Sequence, residues 1–128
     1  MTTLDTFEGG CHCGAVRFRV VVDKYKVDEC NCSICLKKGF LHLIVSSERF
    51  TLLQGAEKLT TYTFNTGVAK HTFCRICGIH SFYTPRSHPD GFSVNLRCLD
   101  GDDILSRFDI VPFDGANWEQ NIHKLDPI

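Results

Sequence analysis

The chain has 128 residues, 43% of them hydrophobic and 23% charged, enough for one globular core and too little for two. With 14 basic against 15 acidic side chains the formal charge is -1, so no broad positive field is offered to nucleic acid or anionic lipid. Apolar runs such as Val20 to Val22 and Leu43 to Val45 are far too short for a bilayer, and the polar start Met1 to Glu8 lacks a signal-peptide core. No membrane partner is expected, and the cytoplasm is the expected location, with the nucleus as the alternative.

In chain order, the first landmark is a C-x-C pair, Cys11 and Cys13, flanked by Gly9, Gly10 and Gly14. Glycines belong where backbone N–H groups must turn toward a metal-bound sulfur. Val16, Phe18, Val20 and Val22 then alternate with Arg17, Arg19 and Val21, the period of a half-buried strand. Cys30, Cys32 and Cys35 follow as C-x-C-x2-C, with Ser33 expected to cap a short turn through Lys38. Strand-like runs lie at Phe40 to Val45, Phe50 to Leu53, Leu59 to Phe64, Val68 to Phe73 and Ile79 to Tyr83. The last two bracket Cys74 and Cys77, a C-x2-C pair followed by Gly78. Phe92 to Leu96 and Ile104 to Val111 are further strand candidates on either side of a lone Cys98. Pro112 to Asn117 reads as a loop, and Trp118, Ile122 and Leu125 share the spacing of one helical face. Seven or eight short strands predict a mainly β fold, a sandwich or small packed sheets, with the cysteines on the turns.

Seven of the eight cysteines fall in the three clusters. At this spacing, in a reducing compartment, thiolates point to zinc. They divide as four plus three. The central trio spans six residues and can supply three vertices of a tetrahedron, while the two pairs together make a closed site that clips the N-terminal segment to the middle of the chain. Cys11 and Cys13 joined with two of the central trio is the other pairing. Three thiolates offset the metal's charge, so a bound water is less acidified and a further sulfur suits the fourth vertex. The bland reading is a second structural zinc completed by a histidine or by Cys98.

The runs Gly9-Gly10-Cys11-His12-Cys13-Gly14-Ala15-Val16, Cys30-Asn31-Cys32-Ser33-Ile34-Cys35 and Phe73-Cys74-Arg75-Ile76-Cys77-Gly78 resemble the glutathione-dependent formaldehyde-activating enzyme family, which includes the centromere protein V domain. Ser81 to Ser87 and Val94 to Asp100 look like the centromere branch. The resemblance implies a Mss4-like fold of small β-sheets packed around zinc, one domain over residues 1–128 with its core at about 9–118, and two zinc ions per chain. It assigns a structural zinc to Cys11, Cys13, Cys74 and Cys77 and an exchangeable, catalytic zinc to Cys30, Cys32 and Cys35. The implied activity joins glutathione and formaldehyde to S-hydroxymethylglutathione, in the carbon–sulfur lyase class. The alternative is a non-catalytic zinc module that carries glutathione or another small thiol, or binds a protein partner. Glutathione's carboxylates call for a basic contact, for which Lys37, Lys38, Arg86 and Arg97 are the candidates. Cys98 reads as a buried small hydrophobe, with a fourth ligand or a redox nucleophile as alternatives. His12, His71 and His80 are placed near sulfur, and His42, His88 and His123 at the surface or in the core. No general base is identified.

Overall fold

Alternation along the chain sets the strands. Phe18, Val20 and Val22 are buried while Arg19 between them is exposed, and Leu41, Leu43 and Val45 turn toward the same core. The structure, a computed structural model, describes residues 4–125. Residues 1–3 and 126–128, the two ends of the expected domain, lie outside the described residues.

The described residues are mainly β, with strands β1 (Asp5–Gly10), β2 (Arg17–Val22), β3 (Lys26–Cys30), β4 (Leu41–Ser46), β5 (Phe50–Gln54), β6 (Leu59–Tyr62), β7 (His71–Cys74), β8 (Phe82–Tyr83), β9 (Gly91–Asn95) and β10 (Asp109–Phe113). They form a three-stranded sheet in the order β1-β2-β5, a five-stranded sheet in the order β10-β3-β4-β9-β8, and a β6-β7 ribbon. β10 runs parallel to β3, and the other pairs are antiparallel. Between the two larger sheets Phe50 packs 4.4 Å from Phe92, 4.7 Å from Phe82 and 5.6 Å from Phe18, centroid to centroid. Burying each such ring contributes about 1.5–3 kcal/mol. Where β1 bridges to Leu99, Gly9 lies so close to the Cys98 carbonyl that a Cβ there would overlap it.

Several expectations are corrected. β1 and β3 were not anticipated, and β10 was expected only as part of a strand from Ile104 to Val111. β3 carries Lys26, Asp28 and Glu29 around a single fully buried Val27, and β10 is an edge strand in which Pro112 needs no N–H partner. The stretch from Ile104 is a 3-10 turn through Arg107, and the strand starts only at Asp109. Gly67 and Gly78, both at positive φ, put turns where longer strands were expected, leaving only His71–Cys74 and Phe82–Tyr83. The helix α1 (Ser33–Lys38) is capped by Cys32 rather than Ser33, and the apolar spacing near the end is a single turn, α2 (Trp118–Asn121), followed by a 3-10 turn. The clusters sit on strand ends and a helix cap as well as on turns. No helix among the described residues is long and apolar enough to cross a membrane.

Candidate metal centre

Cys11 leaves the end of β1, Cys13 lies on the turn before β2, Cys74 ends β7 and Cys77 follows on the next turn. Their four sulfurs lie within 4.8 Å of one another, with Cys11 to Cys13 at 3.6 Å and Cys13 to Cys74 at 3.7 Å. Thiolates about 2.3 Å from a zinc ion stand about 3.8 Å apart at tetrahedral angles, so donor type and spacing both fit that metal. Backbone N–H groups already face the sulfurs, Val16 donating to Cys11 Sγ at 3.3 Å and Ile76 to Cys74 Sγ at 3.4 Å. The N–H of Cys77 holds the Cys74 thiol below its usual range; burial opposes this and the Ile76 N–H adds to it. Gly78, at φ 78°, turns its own N–H onto the Cys74 carbonyl at 2.8 Å. Cys11 and Cys13 form no such group with the central trio among the described residues.

In the second cluster Cys30 ends β3, Cys32 caps α1 and Cys35 is buried in its first turn. The Cys35 N–H donates to Cys32 Sγ at 3.4 Å and the Cys32 N–H to Cys30 Sγ at 3.5 Å. The three thiols cannot all ionise side by side. Cys30 is pushed up to about 11, first by the Cys32 sulfur, and Cys35 is driven higher by Cys30 and Cys32. Cys32 is pulled far down, first by the thiols of Cys30 and Cys35 and then, against burial, by the N–H groups at the helix cap. One charge is shared where a divalent cation would allow three.

His42, expected at the surface or in the core, belongs to this cluster. It is buried on β4, and a ring nitrogen lies within 4.8 Å of both the Cys30 and Cys35 sulfurs, with Nε2 at 3.2 Å from Cys35 Sγ. The signal was in the strand itself. In Leu41-His42-Leu43-Ile44-Val45 the odd positions enter the core, so His42 and Ile44 face the other way.

That other side is a cleft of about 650 Å³, within the size range of small-molecule sites. Cys30, Cys32, Cys35 and His42 line it together with Arg86 and Trp118. The Arg86 guanidinium lies 3.8 Å from the Trp118 ring centroid and 3.8 Å from a Glu119 carboxylate oxygen. Lys38 does not line the cleft. Its Nζ is packed 4.3 Å from the Tyr83 ring centroid and donates to Nδ1 of His71 at 3.2 Å, and burial pushes it down to about 8. His71, stacked on Tyr83 and Phe64, does line the cleft and is brought down to about 4 by burial and then by Lys38. Arg97 is exposed and borders a separate cavity of about 560 Å³ that reaches Cys30 and Cys35, while Lys37 is exposed and lines neither cavity. Cys98 stands outside both sulfur clusters, half-buried 4.0 Å from the His80 carbonyl, and burial pushes it up to about 11. His12 is exposed, and the His80 ring packs 4.9 Å from Phe73.

A Rhodobacter sphaeroides protein of known crystal structure is similar at 36% identity and a TM-score of 0.74, over 82% of this chain and 97% of that one. A Halomonas elongata protein named "Putative glutathione-dependent formaldehyde-activating enzyme" is 40% identical over 79 residues, covering 55% of this chain and 50% of that protein. The chain thus spans about half the length of this curated relative. The family model described as glutathione-dependent formaldehyde-activating enzyme matches residues 6–109, most of the sequence and all three cysteine clusters, and the chain belongs to that family.

Proposed function

We propose that the chain holds two zinc ions, a structural one on Cys11, Cys13, Cys74 and Cys77 and an exchangeable one on Cys30, Cys32 and Cys35, and that the second site holds the sulfur of glutathione beside an aldehyde. The product is a thiohemiacetal of the S-hydroxymethylglutathione type, and the reaction class is that of a carbon–sulfur lyase. The observation that carries this reading is the placement of all three central cysteines on a cleft of about 650 Å³ with a guanidinium on its wall. Zinc, when bound, supplies a positive charge that keeps a guest thiol ionised at neutral pH. The chain supplies the rest. Arg86, held against Trp118, offers its in-plane N–H donors to a carboxylate of glutathione. Confinement in the cleft brings sulfur and aldehyde carbon together, the effect by which a bimolecular addition gains most. Family membership and the name of the Halomonas relative support glutathione and formaldehyde as the reacting pair.

In this reading the whole chain acts as one Mss4-like domain with its core at about 9–118, and its free thiols suit the cytoplasm, with the nucleus second. The test is zinc content with a glutathione titration, followed by the rate of adduct formation. Two zincs per chain are expected, one labile and perturbed by glutathione, with adduct formation faster than in buffer. One tight zinc that ignores glutathione overturns the reading. Binding without acceleration assigns the chain to glutathione carriage.

A further inference from the structure

We propose that His42 is a ligand to the metal ion held by Cys30 and Cys35, so that a nitrogen donor joins two sulfurs at the second site. This rests on the zinc reading above and adds to it a residue outside the three cysteine clusters.

The geometry on both sides of the ring supports it. Nε2 is 3.2 Å from Cys35 Sγ, and the imidazole falls in one 4.8 Å group with the Cys30 and Cys35 sulfurs. Nδ1 lies 3.0 Å from Ser93 Oγ and 3.3 Å from the Tyr83 hydroxyl. A metal-bound histidine is oriented in this way, by a polar partner on the nitrogen that faces away from the ion. Strand register explains how the partners meet. Ser93 on β9 pairs with Ile44 on β4 and with Tyr83 on β8, and His42 pairs with Asn95, so Ser93 stands diagonal to His42 on one face of the sheet. The Phe40 ring, 4.6 Å away, packs against the imidazole.

Packing alone gives no reason for such a group. Ser93 is fully buried, His42 and Tyr83 nearly so, and apolar side chains would fill this face without desolvating three polar ones. The ring is held at a fixed angle with one edge toward two sulfurs, as an imidazole donor requires. The compact group is Cys30, Cys35 and His42, and Cys32, on the same cleft, falls outside it. An incoming thiol then competes with Cys32 for the fourth vertex.

The competing role for His42 is a hydrogen bond to the Cys35 sulfur, and the two roles differ in the position of one ring proton. A ligand has Nδ1–H donating to Ser93 Oγ and a bare Nε2. A hydrogen-bond donor has Nε2–H and a bare Nδ1. Long-range nitrogen–proton NMR of the zinc-loaded, histidine-labelled protein reads this directly, and a protonated Nε2 overturns the inference. His42→Gln should weaken the second zinc by more than about 100-fold with the first retained, and Ser93→Ala by about 10–100-fold, as for a lost outer partner. A His42→Gln protein that is folded and binds its second zinc within about threefold of wild type also overturns it. If the wild type takes up only one zinc, the underlying zinc reading fails as well; two zincs with a protonated Nε2 defeat the His42 role alone.

Discussion

Gly115→Ala isolates the second site from the fold. The C-terminal loop crosses the cluster at this glycine and is pinned there by Asn31, the residue between two of the sulfurs. Asn31 N–H donates to the Phe113 carbonyl at 3.2 Å, its Oδ1 accepts the Ala116 N–H at 2.9 Å, and its Nδ2 donates to Asp114 at 3.0 Å. A Cβ on Gly115 would overlap Cys30 Sγ and come within 3.2 Å of the Cys32 Cβ. Ordinary contact needs about 3.5–4.0 Å, so the sulfur must retreat by more than about 1 Å or the loop must lift. Metal–ligand distances hold to about 0.2 Å, which leaves a displaced Cys30 outside bonding range. Overpacking of this kind costs about 1–3 kcal/mol. If all of it falls on metal binding, the second zinc weakens by about 5–150-fold, at 1.36 kcal/mol per tenfold. Competition against a chromogenic chelator should therefore show one tight zinc and one weakened by that factor, with little change in the melting temperature of the protein retaining the first. Gly9→Ala, whose Cβ would overlap the Cys98 carbonyl, should do the reverse, lowering the melting temperature while leaving the second zinc. Full affinity for two zincs in Gly115→Ala, with an unchanged fold, would show that Cys30 does not hold a metal from this position.

The first cluster ties together sulfurs 61 residues apart, Cys13 and Cys74, and opening that loop by Cys74→Ser should cost about 4 kcal/mol on chain-entropy grounds. Urea denaturation measures it, and a loss under about 1 kcal/mol would remove the clip from the fold's stability. His71 has its folded pKa pulled down to about 4 against an unfolded value near 6.5, so between those values the unfolded chain binds more protons and stability falls as the pH falls. From pH 7 to pH 5 its share of that loss is about 2 kcal/mol. His71→Phe should flatten the urea midpoint over this interval, and an equal loss in both proteins would count against a neutral, buried His71. Arg86→Ala should weaken glutathione binding about tenfold or more, the worth of a charge-assisted hydrogen bond, while Lys37→Ala leaves it unchanged; calorimetric titration giving the opposite ranking would move the ligand away from the cleft.

Strands that alternate cleanly around apolar residues were legible in the sequence, as at Arg17–Val22 and Leu41–Ser46, because burial on one face imposes a period of two. β3 was not. It is specified by its neighbours, β4 antiparallel and β10 parallel, and a contact across 83 positions, from Lys26 with Asp109 to Cys30 with Phe113, leaves no local pattern in a charged segment such as Lys26–Cys30. The cysteine spacing showed where sulfurs gather but could not pair them, since Cys13 meets Cys74 only after the sheets have assembled. His42 was hidden differently. Its alternation was plain, but whether the outward face of β4 meets water or a buried cluster depends on α1 and β9, which sequence spacing does not place.

The same distinction separates what the family match covers from what shapes the cleft. All three cysteine clusters, His42 and Arg86 fall within the matched residues 6–109, so the chemistry-bearing groups belong to the shared part of the chain. Gly115, Trp118 and Glu119 lie beyond it, yet they form part of the cleft, and Trp118 and Glu119 are the groups against which Arg86 is set. The Arg86 guanidinium lies over the Trp118 ring, 3.8 Å from its centroid, so a residue outside the matched region helps to position it. Metal affinity should therefore follow the cysteines and His42, and the choice of thiol should follow the segment from Gly115 to Leu125. On the proposed function, substitutions in that segment should change which thiol is preferred, while position 115 must stay small enough to lie against Cys30.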